Sequence, residues 1–479
     1  MPHSTRLTHF DVCVLGGGPA GTSTAIRLAQ LGHTVCLVEK ARFPRAHVGE
    51  SLSPGVWTAL RILGLAESHF ESCSLRVRRA SMRWSEPRTD SIAFIRPDQG
   101  FTVDRGRFDS LLLEAAIAAG VIVFEATRIV STERLMSGWR LESDGDGGTC
   151  PIAADFLIDA AGRKGFFPGE RTRLSEPTLA VCGYVQSDWD SGETRIEAIP
   201  RGWCWGAPVP GGIISAMVFL DRDLFRQMRS LGIERLWRSS LSDAELFRRI
   251  STAPQMGRLV VCDASMYSST DAIGNRFIRA GEALFSLDPL SSTGVERAMH
   301  NGITAGTVVH TIIHRPERYE LCAAYYCDRQ AECTTQHVSW TSAFYGEVRR
   351  FAECDFWKAR SVSKASESIA PSVSFQHPPT EGADRMKVHV SKATRLIQTA
   401  CQAGDEIEPC FALSHPSLDR PVAFLGGIRV TPLLEAVQQC GNLESLLISW
   451  SNQIPRESVL STAAWFLSKG ILELRGMSS

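Results

Sequence analysis

The sequence predicts an α/β protein: a βαβ-built sheet at the front, a second, antiparallel sheet, and a small helical module towards the C-terminal end. Three observations predict this. Asp11–Leu15 is a short apolar run ending in "GGGPAG" (16–21), followed by the helix-periodic "TSTAIRLAQLG" and a second apolar run, "HTVCLVEK". Next, "TLAVCGYVQSDWD", "TRIEAIPRGWCWGAPVP" and "GIISAMVFLD" lie between Gly/Pro turns, as consecutive antiparallel strands do. Beyond residue 385, apolar residues recur at helical spacing on either side of an Ile-Pro turn.

The first element is a dinucleotide fingerprint. Gly16 permits the tight turn, Gly18 lets the backbone approach a pyrophosphate, and Gly21 lets the helix pack against the strand. Pro19 and Ala20 open the helix, where unpaired N–H groups and the dipole favour phosphate. Glu39 ends the second strand about twenty residues on, where a ribose hydroxyl acceptor belongs, with Lys40 beside it. A bare glycine turn would lack both strands and the acid. The front of the chain is therefore Rossmann-like.

Four further motifs follow in order. "FPRAHVGES" (43–51) carries a Gly-Glu-Ser turn, and "VDRGRFDSLLLEAA" (103–116) sets Arg105 just before a helix starting near Phe108–Asp109. "DFLIDAAGR" (155–163) is a buried strand entering a small-residue turn. "IRAGEALFSLDPLSSTGVERAMHNG" (278–302) is a strand, a loop with Asp288-Pro289, and a helix opened by Gly294, whose amides can face the edge of a heterocycle. Together these resemble the FAD-dependent monooxygenases built on the hydroxybenzoate-hydroxylase fold, and within them the flavin-dependent tryptophan halogenase branch.

That resemblance implies FAD, bound by Gly16, Gly18, Pro19, Ala20, Gly21, Glu39, Lys40, Ser51, Arg105, Ile129 and Glu282, with Asp288, Gly294 and Val295 along the isoalloxazine. The family usually has Asp where this chain has Glu282. The implied organisation is a discontinuous FAD-binding domain (1–75, 100–165 and 255–310), a substrate domain (76–99 and 166–254) whose sheet roofs the flavin, a helical region (311–370) and a C-terminal module (385–479) resembling a winged helix. "SIAPSVSFQHPPTEGAD" (368–384) reads as a linker. The module mixes acids with bases and shows no basic reading helix, so it reads as a protein-contacting appendage rather than a DNA binder.

The resemblance also frames the chemistry. In that branch a flavin C4a-hydroperoxide either meets halide, with a lysine handling the oxidant, or passes its oxygen directly to an electron-rich ring. The stretch where the lysine falls reads "SLRVRRASMRW" (74–84), and no lysine occurs between Lys40 and Lys164. Arg78 is the nearest base, but a guanidinium stays protonated and is a poor nucleophile. The reading is hydroxylation. "WCWGAP" (203–208) matches the branch's Trp-x-Trp-x-x-Pro, with Ala207 in place of Ile. Strand alternation points Trp203 and Trp205 the same way, either beside the tunnel between flavin and substrate or into the core. His47, Glu50 and His300 are titratable groups near the flavin motifs; His47, Glu50, Trp205 and Asp288 form the candidate catalytic set.

Within the family the chain is most similar to the flavin monooxygenases that mature quinohemoprotein amine dehydrogenase by hydroxylating a tryptophan en route to cysteine tryptophylquinone. This implies that the substrate is a small precursor polypeptide of an amine dehydrogenase. O2 is the co-substrate, and electrons come from NAD(P)H or a separate flavin reductase. A small-molecule aromatic hydroxylase or halogenase, a geranylgeranyl-type reductase and a flavoprotein scaffold are the rival readings. Net charge −1 gives no case for nucleic acid. No apolar run is long enough for a membrane helix, and the polar start lacks a signal-peptide core. The fourteen cysteines include no Cys-x-x-Cys pair and read as reduced thiols. The expected location is cytoplasmic.

Overall fold

A computed structural model describes residues 7–93, 100–146, 148–228, 230, 232–361 and 386–475. The linker expected at 368–384 and residues 94–99 of the expected substrate domain lie outside these. The chain forms two compact units: the described residues of Met1–His314 with Tyr326–Ser366, and those of Arg315–Tyr325 with Glu367–Ser479.

In the first unit, β1 (Thr8–Leu15), α1 (Pro19–Gln30) and β2 (Val35–Val38) make the opening βαβ unit. The short strand β1 is central because its apolar run buries Val12, Cys13 and Val14 on both faces, as a parallel sheet covered by helices requires. It pairs in parallel with β2 and, on its other side, with the later strand Gly148–Asp159. Helix α1 ends in a Schellman cap: Gly32 N–H donates to Ala29 O at 3.0 Å and His33 N–H to Leu28 O at 3.1 Å, with Gly32 at φ 87°. Helix α2 (Arg105–Ala118) starts at Arg105, three residues earlier than the sequence reading, because Asp104 caps it by accepting from Arg107 N–H at 3.1 Å. Strand β3 (Ile122–Phe124) extends the sheet beyond β2, and β4 (Gly148–Asp159) continues on the far side to Phe277–Arg279.

The roof is a seven-stranded sheet. It contains β5 (Thr178–Gln186), β6 (Glu193–Ile199), β7 (Gly202–Val209), β8 (Ile213–Asp221) and β9 (Gln255–Asp263), in the order β9-β5-β8-β7-β6, then Arg79–Arg83 and Asp90–Ala93. Strand β9, expected within the FAD-binding domain, is the edge of this roof: Leu179 pairs with Asp263 and Val181 with Val261, so the sheet closes one strand later than the sequence boundary. One roof face packs Cys204, Trp189, Trp237 and Phe247 under the helix Ile233–Asp243. The other face packs Trp84, Trp203 and Phe219 against Tyr345, Phe356 and Trp357.

Helix α3 (Gly294–His314) runs alongside α1 in the same direction. Small residues let the two approach: a Cβ on Gly302 would lie 2.3 Å from Ala20 O, and Thr24 Oγ1 donates to Gly302 O at 3.0 Å. Helix α4 (Tyr319–Gly346) follows.

In the second unit, β10 (Lys387–Val390), β11 (Arg395–Ala403) and β12 (Glu406–Ser414) precede α5 (Val430–Gln439), α6 (Leu443–Ser451), α7 (Arg456–Ser468) and β13 (Leu472–Arg475). The sequence reading takes "MKVHVSKATRLIQTACQAG" as helical; it forms strands. Its Val388, Val390, Ile397 and Thr399 favour extended backbone, and the two-residue Gly404–Asp405 turn closes β11 and β12 into a hairpin. The helical half is as expected: α6 and α7 flank Ile454-Pro455 and lead into β13, over a core of Leu433, Trp450 and Phe466. No helix among the described residues is long and apolar enough to cross a membrane.

Candidate active site

The glycine turn forms a cradle whose parts have separate duties. A Cβ on Gly16 would lie 2.3 Å from Ala160 O in the "LIDAAG" turn, and one on Gly21 would lie 1.9 Å from Gly16 O, so the fold itself excludes side chains there. Gly18, the N-cap of α1, differs. Its missing side chain would meet only the Arg45 guanidinium, at 3.3 Å. Arg45 Nε is buried without a hydrogen-bond partner. A positive group with an unused buried donor, beside the N-terminal amides of a twelve-residue helix, fits a pyrophosphate.

Glu39 is buried at the end of β2, and its two oxygens accept from Gly17 N–H and Ala41 N–H, each at 2.8 Å. It braces the turn, and each oxygen keeps a further lone pair for a ribose hydroxyl. Lys40 is exposed on an open cleft of about 510 Å³ with Arg128 and Asp144. Ile129 packs against the core beside Phe10 and Leu15. Gly281, at φ 59°, packs on Ala20, where a Cβ would lie 2.6 Å from the Ala20 methyl. Glu282, expected at the ribityl chain, is half-exposed and faces Arg163 Nη2 at 3.4 Å. Asp159 is bonded to Arg279 Nη1 at 3.0 Å, a buried structural pair.

Arg105 is buried and locks the Gly-Glu-Ser loop. It donates to Val48 O at 3.0 Å and Gly49 O at 3.2 Å, and grips Asp109 with both Nε and Nη2. These bonds leave the guanidinium a single remaining N–H for a ligand. Ser51 pairs with Thr102, whose hydroxyl donates to Pro208 O at 2.6 Å, tying this loop to the end of roof strand β7.

Two acid–phenol pairs flank the roof. Glu50 Oε1 accepts from Tyr184 Oη at 2.5 Å, and burial pushes the Glu50 carboxyl above its usual range. Burial and then the Glu50 charge push the Tyr184 phenol up, so it stays protonated. Asp288, only 3% exposed, caps the turn after it by accepting from Leu290 N–H at 3.0 Å, and accepts from Tyr345 Oη at 3.1 Å. Burial raises its pKa to about 6. Tyr345 in turn accepts from Trp203 Nε1 at 3.2 Å, and Asp288 N–H donates to His337 Nε2 at 3.0 Å. Burial lowers His337 to about 4.

Of the paired tryptophans, Trp203 is core. It is 1% exposed and stacks on Phe219 at 3.7 Å between centroids, so it lines no tunnel. Trp205 shares its face but stays partly exposed; it lies beside Ile196 and Met217 in the sheet and, like Val48, Met82, Leu290 and Phe344, packs against the buried aromatic cluster. Gly294 opens α3 with open space at its missing Cβ, and Val295 is buried. His47 is exposed at its edge and bonds to Val48 O at 2.7 Å; desolvation and the Arg105 charge hold it below its usual value. His300 Nε2 bonds to Gly55 O at 3.2 Å. Sequence reasoning missed Arg45, Tyr184, His337 and Tyr345. Arg45 lies within the quoted "FPRAHVGES", whereas the two tyrosines and His337 reach the site only through tertiary packing.

Residues 9–172 match the family described as FAD binding domain. The tryptophan 2-halogenase of Chondromyces crocatus is 31% identical over 389 residues, covering 76% of this chain and 72% of that protein. The chain belongs to the flavin-dependent halogenase family. As a halogenase-like FAD monooxygenase it is an oxidoreductase. Two solved structures share the fold along nearly its whole length. CmlS, a flavin-dependent halogenase, has TM-score 0.77 at 20% identity and covers 99% of this chain and 98% of that one. QhpG, a peptidyl tryptophan dihydroxylase essential for tryptophylquinone cofactor biogenesis, has TM-score 0.72 at 24% identity and covers 97% and 100%. In this halogenase-like chain Arg78 turns outward onto Asp190 at 3.1 Å, with its side chain 69% exposed. Among the described residues of the first unit, Lys40, Lys164 and Lys358 all lie at the surface.

Proposed function

We propose that the chain hydroxylates an aromatic ring, and that the ring is the indole of a tryptophan in a small precursor polypeptide of an amine dehydrogenase, during tryptophylquinone cofactor biogenesis. One observation carries this reading. The sheet and the aromatic cluster packed on it carry two acid–phenol pairs able to hold a proton, Glu50–Tyr184 on β5 and Asp288–Tyr345 in the cluster, while the base nearest in sequence, Arg78, is committed to Asp190 on the outside. FAD, bound and reduced by NAD(P)H or a separate reductase, supplies the activation of O2.

The chain's own residues do the rest. Arg45 and the α1 amides hold the pyrophosphate, and Arg105 fixes the loop that presents Val48 and Glu50. Trp205, Leu290 and Phe344 offer apolar surface against which an indole stacks while water is excluded. Glu50 Oε1, through Tyr184 Oη, holds a proton beside that surface. The description of QhpG, which shares the fold, supports a protein-borne tryptophan, and the second unit, which exposes Ile448 and Leu460, is the proposed contact for the polypeptide. Modification before export goes with a cytoplasmic location.

A second reading, halogenation, is favoured by the 31% identity to a tryptophan 2-halogenase. Mass spectrometry of the precursor polypeptide after incubation with enzyme, a flavin-reducing system and air, with and without bromide, separates the two. A gain of one or two oxygens on tryptophan, indifferent to bromide, is expected. Halogen incorporation would overturn hydroxylation, and oxygenation of free tryptophan alone would overturn the polypeptide substrate.

A further inference from the structure

Away from the cofactor side, three imidazoles converge. His33 follows the cap of α1, and His310 and His314 stand one turn apart at the end of α3. One ring nitrogen from each lies within 4.8 Å of the other two. His33 Nε2 and His310 Nδ1 face each other at 2.9 Å, and the His310 and His314 ring centroids are 4.3 Å apart.

We propose that His33, His310 and His314 bind a divalent transition metal, Zn2+ in the first instance, with the exposed His314 side leaving a fourth position for water. Three arguments support it. The first is chemical: an all-imidazole set suits Zn2+, Cu2+ or Ni2+ and not Mg2+ or Ca2+, which take oxygen ligands. Zn–N bonds of about 2.0–2.1 Å in a tetrahedron put the nitrogens roughly 3.3 Å apart. Modest rotation of the rings within the observed spacing reaches that.

The second argument is positional. The Schellman cap fixes the backbone at His33, and the Gly302 and Gly306 contacts with α1 fix the register of α3, so the cluster stands on two interlocked helices rather than on a loose loop. His314 Nδ1 bonds to His310 O at 3.1 Å. A carbonyl only accepts, so Nδ1 carries the hydrogen and the neutral ring has its lone pair on Nε2, the arrangement metal-binding histidines adopt.

The third is electrostatic. Because α1 and α3 run the same way, both negative dipole ends meet at these histidines, and a cation is favoured there.

The test uses untagged full-length protein freed of metal with a chelator. Zn2+ is titrated in competition with a chromophoric chelator, and Co2+ binding is followed by its visible absorption. One equivalent should bind and raise the melting temperature. His314→Gln, at an exposed position, should weaken binding by more than the roughly 10–100-fold that loss of a supporting partner costs. It should also abolish the thermal shift while leaving the metal-free melting temperature unchanged. His33→Asn should do the same to binding. Equal affinity in wild type and His314→Gln, or no saturation near one equivalent, would overturn the site.

Discussion

The glycine turn at 16–21 and the tryptophan strand at 203–205 each repeat one residue type, and in each the fold demands some of the repeats and leaves another free. Gly16 and Gly21 are demanded by backbone atoms closer than a Cβ can approach, whereas Gly18 meets only the tip of Arg45. Trp203 is demanded by Phe219 and Tyr345, whereas Trp205 is only partly buried. In the proposed function, the residue that the fold does not need is the one assigned to the ligand. This separates folding from binding residue by residue, and each pair of variants can break it.

The largest effect is expected at the turn. Gly21→Val should prevent folding, since a Cβ there lies 1.9 Å from a backbone oxygen, and circular dichroism of the expressed protein checks it. Gly18→Val should fold with a near-normal melting temperature yet emerge colourless; yellow, fully loaded protein would refute the assignment of Gly18 to the pyrophosphate. On the strand, Trp203→Ala should cost about 3–5 kcal/mol in urea unfolding. Trp205→Ala should cost roughly 1 kcal/mol and instead change KM, because its ring is only partly packed.

Next is the acid behind the aromatic cluster. Asp288 has an ordinary value of 3.8 and is raised to about 6 by burial, so the folded state favours its protonated form. The stability it adds is complete below about pH 4 and fades as pH rises through 6, by about 3 kcal/mol in all. Asp288→Asn keeps the acceptor for Leu290 and should flatten that slope in denaturant titrations between pH 4 and 7. The smallest effect is expected at Arg78→Ala, an exposed pair with Asp190: urea midpoint and turnover should both stay close to wild type. A large loss of turnover would instead bring Arg78 back as an oxidant-handling group.

How legible these features are follows from what dictates them. The βαβ unit is readable because its glycines answer to covalent geometry, and geometry leaves the same mark in any sequence. The roof strands are readable from alternation, but the placement of β9 is not, since its partner β5 lies some seventy residues earlier and nothing local names it. Tyr345 and His337 come from a helix far along the chain, and only packing brings them to Asp288. Glu39 is readable as an acid at the right spacing, while its bonds to Gly17 and Ala41 are visible only once the turn has closed.

Gly206 lies one residue beyond Trp205, on the opposite face of the same strand. A Cβ there would press on Phe247 at 2.8 Å and Trp189 at 3.1 Å. The position of Trp205, and with it the depth of the proposed ring-binding surface, is thus set from behind, by how closely β7 settles onto its rear layer. An engineer seeking a roomier or tighter enzyme has a handle at Gly206, Trp189 and Phe247 that never touches substrate. Trimming the rear layer would let the strand recede, and filling it would push Trp205 forward.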